Sequence, residues 1–437
     1  MKSNYRVVVF LICLGLSLIT EAQKPMGLSE AISLGMANNY QVKVAVNEAD
    51  MAQNNKALGV GGFLPGVSAN ASYTENRNTT RQERYDGTVN EKDNALSTTK
   101  TANLTVAWVL FDGMKMFLDN QRYRLLGEFG QLQLRETIEN TVAEIITGYF
   151  ALVQQQKGID VAREALGYST QRLHLAQTRF RLGSASETEV LQARIDANSD
   201  SATVVELQNA LANAKADLCL LIGPGTDTDF VPSDTVIVTQ SLLLADLLEK
   251  SLQSNSILRM GDIDQQVAAV QRRLANSPKY PKLTFNAVYA GSLAEAEVGL
   301  LKSNRNYGPS VGVSLSYPVF DGFKTSTQAK NTRLQFQNAQ LKQAHALEQI
   351  KTELLKLYND YQNQKLQLDV AGANLKLSER NTRLAWERYR LGQISDLDFR
   401  QVQYIQSQTE SRYLTTQWKC KQIETELLRL SGGLVQP

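Results

Sequence analysis

Few residues of this 437-residue chain have both the type and the spacing for chemistry. The two histidines, His174 and His345, stand alone on helix-favouring stretches, with no HExxH pattern and no cysteine pair beside them. No glycine-rich run has the form of a phosphate loop. The acids that do sit close together, Asp396 and Asp398, fall in a turn without an aromatic or basic framework. Cys13 lies in an apolar N-terminal run, which leaves Cys219 and Cys420. The internal repeat described below matches Cys219 to Leu428, eight residues beyond Cys420, or ~12 Å along a helix. That separation argues against a disulfide. Catalysis is excluded, and neither a cofactor nor a metal centre is expected.

The turn acids belong to a passage that occurs twice. "RYRLGQISDLDFRQVQ" at 388–403 has a near relation, "RFRLGSASETEVLQAR", at 179–194, an offset of 209. Arg181-Leu182-Gly183 and Arg390-Leu391-Gly392 are shared. A serine follows three residues later (Ser186, Ser395), and an acid three after that (Glu189, Asp398). Phe111-Asp112-Gly113 recurs as Phe320-Asp321-Gly322 at the same offset. Upstream the offset is 216, pairing Pro65 with Pro281, Tyr73 with Tyr289 and Asn39 with Asn255. The chain is thus two tandem copies of one unit, at 23–223 and 244–437, joined by a linker at 224–243.

Residues 1–22 read as a secretory leader: Lys2 and Arg6, the apolar run Val7 to Ile19, and a small-residue cleavage site at Thr20-Glu21-Ala22. Its removal takes away two cations and one anion, so the net charge falls from +2 to +1. A nucleic-acid binder would need a basic stripe that is not here. No later apolar stretch is long enough for a membrane-spanning helix.

The elements that must position the turns follow from the prolines. None lies between Asp112 and Gly223 or between Val319 and Gln436, and both blocks are rich in helix formers. Leu347, Ile350, Leu354, Leu357, Tyr361, Leu368, Ala371 and Leu375 keep a coiled-coil spacing. A continuous helix over 323–390 would run ~100 Å. The proline-bearing parts alternate instead. Val311, Val313, Leu315 and Tyr317 face one way, and so do Ala102, Leu104, Val106 and Trp108. Strands are expected at about 66–76, 99–110, 282–290 and 310–318, with polar loops at about 77–97 and 290–307. A soluble sheet over a core has this pattern too, but the helices are too polar to cover one. An outer-membrane barrel fits better. Four strands cannot close a barrel, and hydrocarbon tolerates no open edge, so several chains must pool their strands.

The duplicated helix–strand–strand–helix unit, the FDG after each second strand and the R-[FY]-R-L-G-x-x-S turns resemble the TolC-type outer-membrane efflux proteins over essentially the whole mature chain. The resemblance implies a mainly α fold with β. It would be a homotrimer with a 12-stranded barrel in outer-membrane lipid and an α-helical barrel in the periplasm. It also implies a periplasmic adaptor protein and an inner-membrane pump of RND, ABC or MFS type. The hairpin tips, about 181–187 and 390–396, would then form the periplasmic entrance. Arg181, Leu182, Gly183, Ser186, Arg390, Leu391, Gly392 and Ser395 would mark the adaptor-docking ends.

By the same resemblance Asp398 matches an acidic ring that narrows the closed entrance, and Tyr389 matches a gate tyrosine. The next ring position holds Gln401 rather than an acid, and a basic gate position falls on Ile394, so its inter-chain link is missing. A plainer reading stands beside this one. Gly183 and Gly392 suit left-handed helix ends, and Ser186 with Glu189, or Ser395 with Asp398, suits capping boxes. The function that follows is a passive exit duct for efflux or type I secretion, opened by an iris-like shift of the second hairpin. The competing reading is an elongated coiled-coil protein of the envelope, which would have no use for four lipid-facing strands.

Overall fold

The computed structural model describes residues 24–224, 229–238 and 242–434. The expected leader lies outside the described residues, as do 225–228 and 239–241 of the linker. In chain order the elements are β1 (Lys24–Met26), α1 (Leu28–Asn38), α2 (Tyr40–Asn54), β2 (Gly66–Glu83), β3 (Val89–Asp112), α3 (Lys115–Arg181) and α4 (Glu187–Ile222). The second half runs β4 (Phe230–Pro232), α5 (Leu244–Ser254), α6 (Ser256–Leu274), β5 (Lys282–Ala296), β6 (Ser303–Ser316), α7 (Lys324–Arg390) and α8 (Asp396–Leu430). The repeat is therefore visible element by element: α1–α2–β2–β3–α3–α4, then α5–α6–β5–β6–α7–α8.

Two units each hold parts of both repeats. One is Val46–Leu134 with Ser256–Glu348; the other is Arg135–Asn255 with the N-terminal stretch to Ala45 and the C-terminal stretch from Gln349.

In the first of these, the four long strands make one antiparallel sheet in the order β2-β3-β5-β6. Its two hairpins share one register. Ala69 pairs with Leu104, and their repeat equivalents, Phe285 and Val313, pair with each other. Val311, Val313, Leu315 and Tyr317 are all more than half exposed. The outer edges of β2 and β6 have no partner strand within the sheet. The strands run further than expected, because most of 77–97 and 290–307 is paired ribbon rather than loop. The first extension is polar on both faces from Arg77 to Glu83 and held by cross-strand contacts such as Thr79 to Asp93 and Arg81 to Glu91, whereas 290–296 is mostly alanine and glycine with Leu293. Neither carries a sustained apolar–polar alternation to read.

The first FDG completes β3, the second follows β6, and each opens a long helix. Asp112 accepts from the Met116 N–H at 3.0 Å, and Asp321 from the Thr325 N–H at 2.9 Å. Gly113 and Met114 both take positive φ, as do Gly322 and Phe323. The glycine removes the side-chain clash at one of the two left-handed positions.

In the second unit the core gathers around Tyr149, which is wholly buried with Ile145, Leu152 and Leu218. Its hydroxyl lies 2.8 Å from the Met26 carbonyl on β1, beside the parallel β1–β4 pair. Asn39 donates to the Leu221 carbonyl at 2.8 Å, and its repeat partner Asn255 donates to the Leu430 carbonyl at 2.9 Å. Each asparagine so satisfies a carbonyl at a helix end that the helix itself cannot. The expected α7 seam is present, since Ile350, Leu354, Tyr361 and Ala371 are buried and the intervening seam residues half-buried.

Candidate functional site

The two helical turns are built alike. In the first, the Gly183 N–H donates to the Phe180 carbonyl at 2.9 Å and the Ser184 N–H to the Arg179 carbonyl at 2.8 Å. In the second, Gly392 donates to Tyr389 at 3.0 Å and Gln393 to Arg388 at 2.9 Å. This is the Schellman closure, and it requires the left-handed φ of Gly183 (+74°) and Gly392 (+73°). The next helix then opens on a capping box. Ser186 accepts from the Glu189 N–H at 3.3 Å, and Ser395 accepts from the Asp398 N–H at 3.2 Å. Both reciprocal bonds are formed, so the Asp398 box is complete despite its shorter acid. Hydrogen bonds from the Ser395 hydroxyl and N–H hold the Asp398 carboxyl below the usual range.

Leu182 and Leu391 project from these turns at 77% and 72% exposure. Arg181 and Arg390 beside them are exposed, as are Asp398 and Gln401. Tyr389 is different. It is buried, stacked on Phe399 at 5.4 Å, and its hydroxyl donates to Asp396 at 3.0 Å. Burial, then the Asp396 charge and hydrogen bond, push the phenol well above its ordinary range.

The tips also contain a polar cluster that motif reading does not pick out. Arg172 on α3 has no exposed surface. Its guanidinium is ion-paired with Asp196 on α4 and Asp396 on α8, the latter at 2.8 Å from Nε. Arg400 on α8 holds Asp200 on α4 through two bonds of 2.8 and 3.0 Å. Ser169 donates to Asp200, and the Gln403 amide donates to the Ala165 carbonyl at 2.7 Å. Arg179 closes the lower end on the Tyr389 carbonyl at 3.0 Å. The signal was present as two i, i+4 pairs, Asp196/Asp200 and Asp396/Arg400, but their meeting depends on tertiary packing. His174 and His345 are exposed on α3 and α7. Among the described residues no cluster of His, Cys, Asp and Glu could hold a metal ion.

An edge-open sheet with an outward apolar face, joined in sequence to 67-residue helices that end in capped tips, defines a channel-forming outer-membrane protein. The family model described as outer membrane efflux protein matches residues 31–224 and 247–433, and the chain belongs to that family. Among curated relatives it is 24% identical over 360 residues to the proteases secretion protein PrtF of Dickeya chrysanthemi, covering 79% of this chain and 74% of that one. It is 22% identical over 364 residues to the outer membrane protein TolC of Escherichia coli, covering 79% and 69%. Among solved structures, the CmeC outer membrane channel of Campylobacter jejuni superposes with a TM-score of 0.77 at 16% identity, over 94% of this chain and 86% of that one. The chain is an outer-membrane efflux or secretion channel of a tripartite system in a Gram-negative bacterium. It is a transporter rather than an enzyme, and its family implies trimeric assembly.

Proposed function

We propose that the protein is the passive exit duct of its system, with three copies pooling twelve strands into one barrel. The observation that carries this is the sheet: both outer strands leave a full edge unpaired, and an apolar set faces outward along β6. An edge in hydrocarbon must find a partner, and the only strands of matching length and register are those of another copy. The helical tips then face the periplasm. Leu182 and Leu391, with Arg181 and Arg390, present apolar and cationic contacts to the helical hairpins of an adaptor protein. Gly183, Gly392, Ser186 and Ser395 fix the turns that carry them.

An inner-membrane pump of RND, ABC or MFS type supplies the energy, and the pump sets the cargo. Asp398, with Gln401 on the following turn, borders the entrance, and Tyr389 holds the second tip against the first. Three Asp398 carboxylates brought around one axis attract cations and repel one another. Capping and gating are compatible, because the box uses only part of each carboxylate's acceptor capacity. The test is extraction of outer membranes. The mature chain should need detergent, run as a trimer and conduct ions in a planar bilayer. A protein that is elongated, monomeric and freely soluble without detergent refutes the duct.

A further inference from the structure

The outward face of the sheet changes character along its length. Cross-strand pairing puts Ala69, Leu104, Tyr289 and Pro309 in one row, and Ala71, Ala102, Gly291 and Tyr307 in the next row away from the helices. The row after that holds Tyr73, Lys100, Leu293 and Arg305. Leu315 and Arg305 lie on the same face of β6, ten residues apart. At ~3.3 Å per residue and a tilt of ~40°, that is ~25 Å along the membrane normal, the height of the apolar band on an outer-membrane barrel. The lysine and the arginine therefore stand where hydrocarbon ends, on the side away from the helices.

Both cations are exposed, and among the described residues neither is ion-paired with a carboxylate. Lys100 lies over the Tyr73 ring at 5.9 Å, and Arg305 over the Tyr307 ring at 5.7 Å. The cations further out along the strands are matched instead: Arg77 with Glu75 at 3.1 Å, Arg81 with Glu91 at 3.7 Å and Lys92 with Glu297 at 3.0 Å. The acids nearest the row, Glu75 and Glu295, accept from Tyr73 and from Thr98. Lys100 and Arg305 are two strands apart, ~10 Å, with Leu293 between them. Tyr73, Tyr289 and Tyr307, each more than half exposed, border the apolar band at this end, as aromatic residues do on a barrel's lipid face. The row at the opposite end, Trp108, Phe285 and Val313, carries no cation.

We propose that Lys100 and Arg305 bind the phosphorylated head of the glycolipid that forms the outer leaflet, one site on each chain of the trimer. The lipid's acyl chains then lie along Gly291, against Tyr307. The inference rests on the trimeric duct, whose barrel puts this face in lipid. Phosphate suits the pair, because the guanidinium fork takes two of its oxygens and the ammonium adds a point charge. The headgroup boundary is less polar than water, so each contact is stronger there than in open solution. Basic side chains left without a carboxylate at headgroup level are completed by an anionic lipid.

The test uses the mature trimer in detergent, with native mass spectrometry counting bound lipid and reading the oligomer in the same spectrum. The probe is lipid A, the phosphorylated anchor of lipopolysaccharide. It is set against its phosphatase-treated form, phosphatidylglycerol and inorganic phosphate. Lys100→Gln with Arg305→Gln should weaken lipid A binding at least tenfold. Arg84→Gln with Lys302→Gln removes the same charge from the hairpin ends and should change binding less than twofold. Phosphatase-treated lipid A should bind the unaltered protein no more tightly than lipid A binds the Lys100/Arg305 variant. Equal loss in both double variants, equal binding of phosphatidylglycerol, or release of lipid A by an equal concentration of inorganic phosphate overturns the proposal. A chain that gives no trimer overturns the duct and this inference with it, whereas a trimer that binds no lipid A overturns this inference alone.

Discussion

Replacing Arg172 by methionine challenges the polar cluster at the tips most directly. The arginine has no exposed surface, and its guanidinium is the cation between Asp196 and Asp396. Methionine keeps much of the apolar stem but leaves two carboxylates without that charge. Removing one partner of a buried pair costs about 3–5 kcal/mol. The lower end applies here, because Asp396 keeps the Tyr389 hydroxyl at 3.0 Å and Asp196 keeps the Gln192 amide at 3.0 Å. At 1.4 kcal/mol per tenfold, ~3 kcal/mol raises the population of locally opened tips by about a hundredfold.

Hydrogen exchange of the detergent-solubilised trimer, read by mass spectrometry, measures this directly. The Gly392 and Gln393 amides, bonded to Tyr389 and Arg388, should exchange about a hundredfold faster. Amides around Tyr149 should not change. Adding Asp196→Asn and Asp396→Asn should recover most of the protection, since no uncompensated charge is then buried. A tip acceleration below threefold in Arg172→Met would show that the cluster does not hold the hairpins together.

Glu410 gives a pH-dependent test. Burial, then the Glu164 and Glu379 charges, push its carboxyl up from 4.5 to about 6. A raised acid favours the protonated form, so its penalty is absent below pH 4.5, grows through about 6 and is complete above it. Glu410→Gln should therefore stabilise the trimer at pH 7.5 by about 1 kcal/mol after solvent screening, with no gain at pH 4; thermal unfolding at both pH values checks the sign. Asp398→Asn should weaken cation selectivity and divalent-ion block in planar bilayers, and Glu189→Gln in the first hairpin should not. Equal effects would leave both acids as caps alone. Leu182→Asp with Leu391→Asp should abolish pump-dependent export while the trimer still forms on a native gel; surviving export would remove the tips from the docking surface.

Much of the fold was legible because duplication repeats its local rules. Proline-free blocks marked α3–α4 and α7–α8, alternation marked the apolar parts of β2, β3, β5 and β6, and the Arg-Leu-Gly passages marked both turns. The strand extensions were not legible, since a ribbon polar on both faces, as from Arg77 to Glu83, reads like a loop. The site was legible only in part. Capping boxes are local, so Ser186–Glu189 and Ser395–Asp398 announce themselves over three residues. The partners of Arg172 lie 24 and 224 positions away, and nothing in the spacing of one helix tells where a third will pass.

The repeats also sort residues by role. Where the copies agree, the shared residues do the same structural work twice: the FDG turns, the Gly183 and Gly392 closures, and the Asn39 and Asn255 contacts to Leu221 and Leu430. Such positions need identical backbone geometry in each half, and no difference between seams could arise from them. Where the copies part, as Arg172 does from Asn381 and Arg400 from Leu191, the two halves stop being interchangeable. A ring of identical hairpins would have six equal junctions and no preferred place to yield. Within the chain the junction between hairpins is charged and buried at Arg172, whereas the five positions of the other copy matched to Arg172, Asp196, Asp200, Asp396 and Arg400 carry a single acid, Glu187. That difference is made without altering a single turn, cap or strand register that the halves share.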